Sequence, residues 1–204
     1  KRILDFYDRQ AVVVHPPVDV EYFGQFQRSP QNHYLIVSAL VPYKRTEDAI
    51  VACKKRGRKL KIIGTGPELG KLRDLAQRLQ ADVEFIGPVT KEQLAQAYAQ
   101  AKALLFPGVE DFGIVPVEAI ATGCPVIGLA EGGLLDSMNE KTAVLYRDGS
   151  PEGLARAIEE FESGRKEFPV DELVKQAQRF SEERFNAKFQ SLIKRVVPAY
   201  ALDA

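Results

Sequence analysis

The 204-residue chain contains no tryptophan, one methionine, two cysteines and two histidines, and its 28 basic and 28 acidic residues cancel. Each scarcity removes a class of function. Cys53 and Cys124 are far apart, build no disulfide framework, and point to a reducing compartment, the cytoplasm. His15 and His33 form no Cys/His ligand cluster and stand beside no obvious nucleophile, and a G-x-S-x-G element is missing as well. A formal charge of zero offers no broad basic surface for nucleic acid. No apolar run reaches the ~18 residues of a membrane span, and no signal peptide is visible. Asp19-Val20-Glu21 and Asp82-Val83-Glu84 look like acidic metal pairs, but one lies in a connection and the other in a strand with alternating faces, so no metal is expected.

What is present is 45% hydrophobic and 27% charged, enough for one α/β domain with a core and some flanking structure. From Tyr34 onward the pattern is regular. Strands are expected at 34–38, 59–63, 82–87, 103–106, 125–128 and 143–146, with helices between them. That alternation marks a Rossmann-like parallel sheet with helices on both faces. Local signals set the helix starts: Thr46 as an N-cap, Pro67 at a first position, a Thr90–Gln93 capping box, and Ser150-Pro151. Before the sheet, residues 1–8 have helical spacing, AVVVHPP reads as a strand, and VDVEYFGQFQRSPQNH as a polar connection. After it, residues 171–197 read as two helices divided near Ser181. The opening KRILDFYDRQ begins in mid-pattern and reads as part of a longer protein. Residues 1–30 are then the end of a preceding domain and its connection, 31–164 the Rossmann-like domain, and 165–204 C-terminal helices.

The chemistry centres on LLFPGVEDFGIVPVEAIATGCPVIG, residues 104–128. Pro116 has no N–H and is tolerated only in a first helical turn, so a helix begins between Phe112 and Val115. Glu110 lies in the loop before it and Glu118 about one turn in. Free amides at Phe112, Gly113 and Ile114 would form the positive end of the helix. Carboxylates repel phosphate and suit hydroxyls, whereas the helix end suits an anion; a nucleotide sugar carries both. Lys44 and Arg45, in the loop after the first strand, could neutralise a diphosphate. Gly64-Thr65-Gly66-Pro67 reads mainly as a tight strand-to-helix turn that could touch the ligand through backbone. Gly132 and Gly133 precede another helix start and could approach a phosphate through their amides.

Taken together, EDFGIVPVE, PVIGLAEGG, IIGTGPE, FIGPVTKEQL and VSALVPYKR resemble, in order, the motif blocks of the family four glycosyltransferases. The likeness runs from about Val12 to Arg184. It implies the GT-B fold of two Rossmann-like domains, with this chain as the C-terminal, donor-binding half. The VPYKR, FGIVPVEA and RFSEERF wording is similar to GDP-mannose-dependent mannosyltransferases of the polysaccharide type. The resemblance implies transfer of a hexose with retention to a saccharide or lipid-linked acceptor, using a nucleotide-sugar donor and no metal or other cofactor. It assigns donor ribose hydroxyls to Glu118, donor-sugar hydroxyls to Glu110, sugar and phosphate to the Phe112–Ile114 amides, diphosphate to Lys44, and the base to the backbone of Ile86 and Gly87. The family pairs that lysine with an arginine where this chain has Ala39, so either Arg45 substitutes or the diphosphate meets one cation fewer. The acceptor and any association with the cytoplasmic face of a membrane would belong mainly to the preceding half, without which the chain should be inactive. Two other readings stay open: a non-catalytic nucleotide-sugar-binding module, and a GT-B epimerase of UDP-sugars.

Overall fold

Leu35, Leu104, Phe106 and Val126 face one side of a sheet, while Tyr34, Ile36, Leu105 and Ile127 face the other, each in its own apolar layer. This period-two division is what parallel strands buried on both faces require. Each fully buried Leu or Ile contributes about 1.5–3 kcal/mol.

The computed structural model describes residues 2–196; Lys1 and residues 197–204, which the expected first helix and C-terminal stretch include, lie outside it. In chain order the elements are α1 Arg2–Tyr7, α2 Val20–Phe23, β1 His33–Val37, a 3₁₀ turn Pro42–Lys44, α3 Thr46–Arg56, β2 Lys59–Ile63 and α4 Leu69–Leu79. Then follow β3 Val83–Gly87, α5 Lys91–Gln100, β4 Leu104–Phe106, α6 Ile114–Ala121, β5 Val126–Leu129 and α7 Leu134–Ser137. Last come β6 Ala143–Tyr146, α8 Pro151–Glu162, α9 Val170–Ala177, a 3₁₀ turn Gln178–Phe180 and α10 Glu182–Val196. All pairings are parallel, in the order β3-β2-β1-β4-β5-β6. The order reverses between β1 and β4, which makes their carboxyl ends the topological switch point, where open α/β sheets bind ligands.

Several sequence signals act as expected. Thr90 accepts from the Gln93 amide while the Gln93 side chain accepts from the Thr90 amide, closing the capping box. Ser150 caps α8 through the Gly153 amide.

Three expectations change. The strand read in AVVVHPP is not formed: Val12 and Val13 are exposed, and the nearest pairing is a single bridge between Val18 and Ser181. A strand needs a neighbour to complete its ladder, and none runs beside residues 11–17 among the described residues. The polar connection after it is built into the core instead, with Val18, Val20 and Phe23 buried. Farther on, Arg28 closes the end of α5, its guanidinium donating to the carbonyls of Ala99 (2.8 Å), Ala101 (2.5 Å) and Lys102 (2.9 Å). Thr46 does not cap α3; Arg45 precedes the helix in the left-handed region, and the Thr46 hydroxyl is buried without a partner among the described residues.

Candidate functional site: the cleft between β1 and β4

The loop after β4 is held in place by backbone contact. A Cβ on Gly132 would collide with the carbonyl oxygen of Glu110, and one on Gly133 with the backbone of Asp111 and Phe112. The Gly133 amide donates to the Glu110 carbonyl at 2.8 Å. Gly133 therefore has no amide to spare for a phosphate; the pair of glycines supports the loop that carries Glu110. Gly108, which the sequence did not single out, lies against the backbone of Tyr43 and Lys44 in the same way. Phe112 is stacked on His15 (centroids 5.3 Å apart) and meets Phe180 edge-on (5.2 Å), fixing the loop from the opposite side.

Gly113 then turns the chain with φ +83°, a conformation that suits a residue without Cβ, and α6 begins at Ile114. Pro116 sits in the first turn as expected. No side chain caps this helix, and the amides of Phe112, Gly113, Ile114 and Val115 donate to no backbone or side-chain acceptor among the described residues. These open donors face a cleft of about 620 Å³. Its walls are the β1 end (Val37, Ser38, Ala39), the 3₁₀ turn (Tyr43, Lys44) and the loop from Val109 to Val115, with Pro16 at one side. The Lys44 ammonium pairs with the Glu110 carboxylate, and both side chains are largely shielded from solvent, at 13% and 25% exposure. Lys44 also lies 5.2 Å from the Tyr43 ring centroid.

The structure thus brings Lys44, Glu110, Phe112, Gly113 and Ile114 to one cleft. Arg45 is turned away: its guanidinium bonds Asp48 (2.8 Å) and the Gly149 carbonyl, and it does not line the cleft. The backbone at Arg45 is left-handed (φ +55°), and its side chain is held by partners outside the cleft lining. Lys44 is accordingly the one cation among the described lining residues.

The remaining predicted residues lie along the same carboxyl edge, outside the cleft lining. Gly64 and Gly66 fit against the backbone of Ser38 and Leu40, where a Cβ would collide, and the Gly64 amide donates to the Gly87 carbonyl at 3.1 Å. Ile86 is exposed at the end of β3. Glu118, half-buried on α6, accepts a hydrogen bond at 2.8 Å from the hydroxyl of Tyr98, which is fully buried. Burial raises the Glu118 pKa above the ordinary carboxylate value, against the opposing effects of the Tyr98 bond and the Lys91 charge. Tyr98 carried no sequence signal of a role; an aromatic on an amphipathic helix reads as core, and its partner lies on another helix. Among the described residues no cluster of three His, Cys, Asp or Glu side chains could hold a metal, and no helix is long and apolar enough to cross a membrane.

Comparisons with known proteins agree with this geometry. The sequence model of the family described as glycosyl transferases group 1 matches residues 5–184. The chain is 35% identical over 170 residues to the D-inositol 3-phosphate glycosyltransferase of Mycobacteroides abscessus, covering 72% of this chain and 38% of that protein. Among solved structures, sucrose-phosphate synthase from Thermosynechococcus elongatus superposes with a TM-score of 0.81 at 22% identity, covering 97% of this chain and 56% of the other. Anabaena HepE in complex with UDP-glucose superposes with a TM-score of 0.78 at 21% identity, covering 90% and 57%. The chain therefore spans little more than a third of the first relative and somewhat over half of the two structures.

Proposed function

The chain belongs to the glycosyl transferases group 1 family, and on that premise we propose that the β1–β4 cleft binds the diphosphate and sugar of a nucleotide-sugar donor. One observation carries this reading: uncapped amides at the start of α6 and the paired Lys44 and Glu110 face the same cleft, at the switch point of the sheet. The amides and the ammonium suit phosphate oxygens, and the carboxylate suits sugar hydroxyls. As an ion pair Lys44 and Glu110 neutralise each other. When the donor enters, the ammonium turns to the diphosphate and Glu110 accepts from the sugar.

In the transfer step the bond between the anomeric carbon and the diphosphate oxygen breaks while an acceptor hydroxyl adds on the same face, with retention. The acceptor proton passes to the departing phosphate, whose charge Lys44 and the amides stabilise. Glu118 accepts from the ribose hydroxyls, and the backbone at Ile86 and Gly87 lines the base. The motif wording favours GDP-mannose as donor and a saccharide or lipid-linked acceptor. The acceptor wall belongs to a preceding domain, of which residues 1–30 form the end, so residues 1–204 alone bind donor without turning it over.

Titration calorimetry with GDP-mannose, GDP, UDP-glucose and UDP tests the proposal. GDP ligands are expected to bind, with Glu118→Ala weakening them about tenfold, equivalent to about 1.4 kcal/mol. Binding of UDP ligands alone would reassign the base. No binding of any of the four at millimolar concentration, with Glu118→Ala silent, would refute the donor site.

A further inference from the structure

We infer that Tyr98 is a positioning residue: its hydroxyl holds one oxygen of Glu118 and leaves the other to the ribose of the donor. The inference rests on the donor-site reading above and extends it to a residue on a different helix. Tyr98 is wholly buried in α5, which packs on α6, and its hydroxyl donates to Glu118 Oε2 at 2.8 Å. Neighbours on two sides fix the ring and the turn that carries it. The Tyr98 ring meets Phe23 edge-on at 5.9 Å, and Arg28 bonds the end of α5 at Ala99, Ala101 and Lys102. Glu118 Oε1, by contrast, makes no hydrogen bond among the described residues and is not one of the buried unpartnered atoms, so it is open to a ligand.

The charged surroundings of Glu118 are sparse. Burial disfavours its carboxylate, the Tyr98 hydroxyl favours it, and the Lys91 ammonium adds a smaller favourable field. Lys91 itself is engaged with Asp19 at 2.5 Å and lies 4.3 Å from the Tyr22 ring centroid. The Cys124 thiol, also near Tyr98, is held neutral by burial, its pKa pushed up to about 11. The tyrosine hydroxyl is therefore the group that both aims Glu118 and favours its charged form. A phenylalanine would fill the same space and do neither.

Tyr98→Phe in the intact protein separates the two roles, with GDP and UDP affinities measured by calorimetry from about pH 5 to about pH 8, on either side of the histidine range. Loss of the hydroxyl is expected to weaken binding about tenfold near neutral pH. It should also move the acid limb of the affinity profile upward, because Glu118 then protonates at a higher pH. A variant with a lowered melting temperature and an unchanged profile would show that Tyr98 only fills the core, overturning the inference. If Glu118→Ala is also silent, the donor-site reading fails; if Glu118→Ala weakens binding while Tyr98→Phe does not, only the positioning role fails. Should Tyr98→Phe not fold, proton NMR of the wild type decides. A slowly exchanging Tyr98 hydroxyl proton that is lost in Glu118→Ala supports the role, and a freely exchanging one overturns it.

Discussion

The two edges of the sheet each carry a carboxylate in an ion pair, and they treat it in opposite ways. At the amino edge Glu162, at the end of α8, accepts from Tyr34 (2.9 Å), from Lys102 (2.7 Å) and from Arg58 through two nitrogens (2.8 and 2.6 Å). Burial works against its charge, but those donors outweigh burial and lower its pKa to about 2. At the carboxyl edge Glu110 has Lys44 as its ion-pair partner, beside amides that donate to nothing among the described residues. The amino edge is saturated and fastens α8 to β1 and to the residues leading into β2 and β4. The carboxyl edge keeps open valences, which is the condition for accepting a ligand.

The sharpest way to break the comparison is to remove the cation on the open side. In the enzyme with its preceding domain, Lys44→Ala is expected to lower kcat/KM for transfer by about 10²-fold while the melting temperature holds, because the proposed role of that charge is on the leaving diphosphate. A kinetic loss of less than threefold would end the functional reading of that edge.

On the saturated side the expectation inverts. Glu162→Ala should cost about 2–4 kcal/mol of folding stability, by denaturant titration, and leave GDP and UDP affinities intact. The same network sets the acid response. A carboxylate whose pKa falls from 4.5 unfolded to about 2 folded contributes stability that is complete above pH 4.5 and is lost as pH falls towards 2. His33 adds to this loss at higher pH. Burial, then the charges of Lys61 and Lys59, lower its pKa from 6.5 to about 4, so the unfolded chain binds the extra proton over that interval and stability declines from pH 6.5 downward. In Glu162→Ala the loss below pH 4.5 should shrink while the His33 portion remains.

The smallest effect is expected at Arg45. Its pairing with Asp48 and Gly149 predicts that Arg45→Ala changes donor affinity less than twofold and stability by about 0.5–1 kcal/mol. A tenfold loss of affinity would return Arg45 to the cleft.

What could be read from the sequence was local. The strands at Lys59–Ile63 and Ala143–Tyr146, the Thr90–Gln93 box and the position of Pro116 in the first turn of α6 depend on neighbours within a few residues, and they stand as read. The Thr46 cap failed locally, because Arg45 takes the left-handed turn before α3; the other features out of reach depend on contacts made over long sequence separations. Val18, Val20 and Phe23 look like part of a polar connection until the face of α6 covers them. The direction of Arg45 depends on Gly149, and the place of Tyr98 depends on Glu118. Gly132 and Gly133 are a turn in the sequence and a buttress in the fold.

The cluster of the His15, Phe112 and Phe180 rings, one pair stacked and two edge-on, has one more consequence. They join a residue near the start of the chain, the loop that opens α6, and the turn before α10. Loosening any one of them removes packing from the other two, so the three segments belong to one cooperative unit with a shared opening free energy. Segments so far apart in sequence should therefore become accessible to hydrogen exchange together.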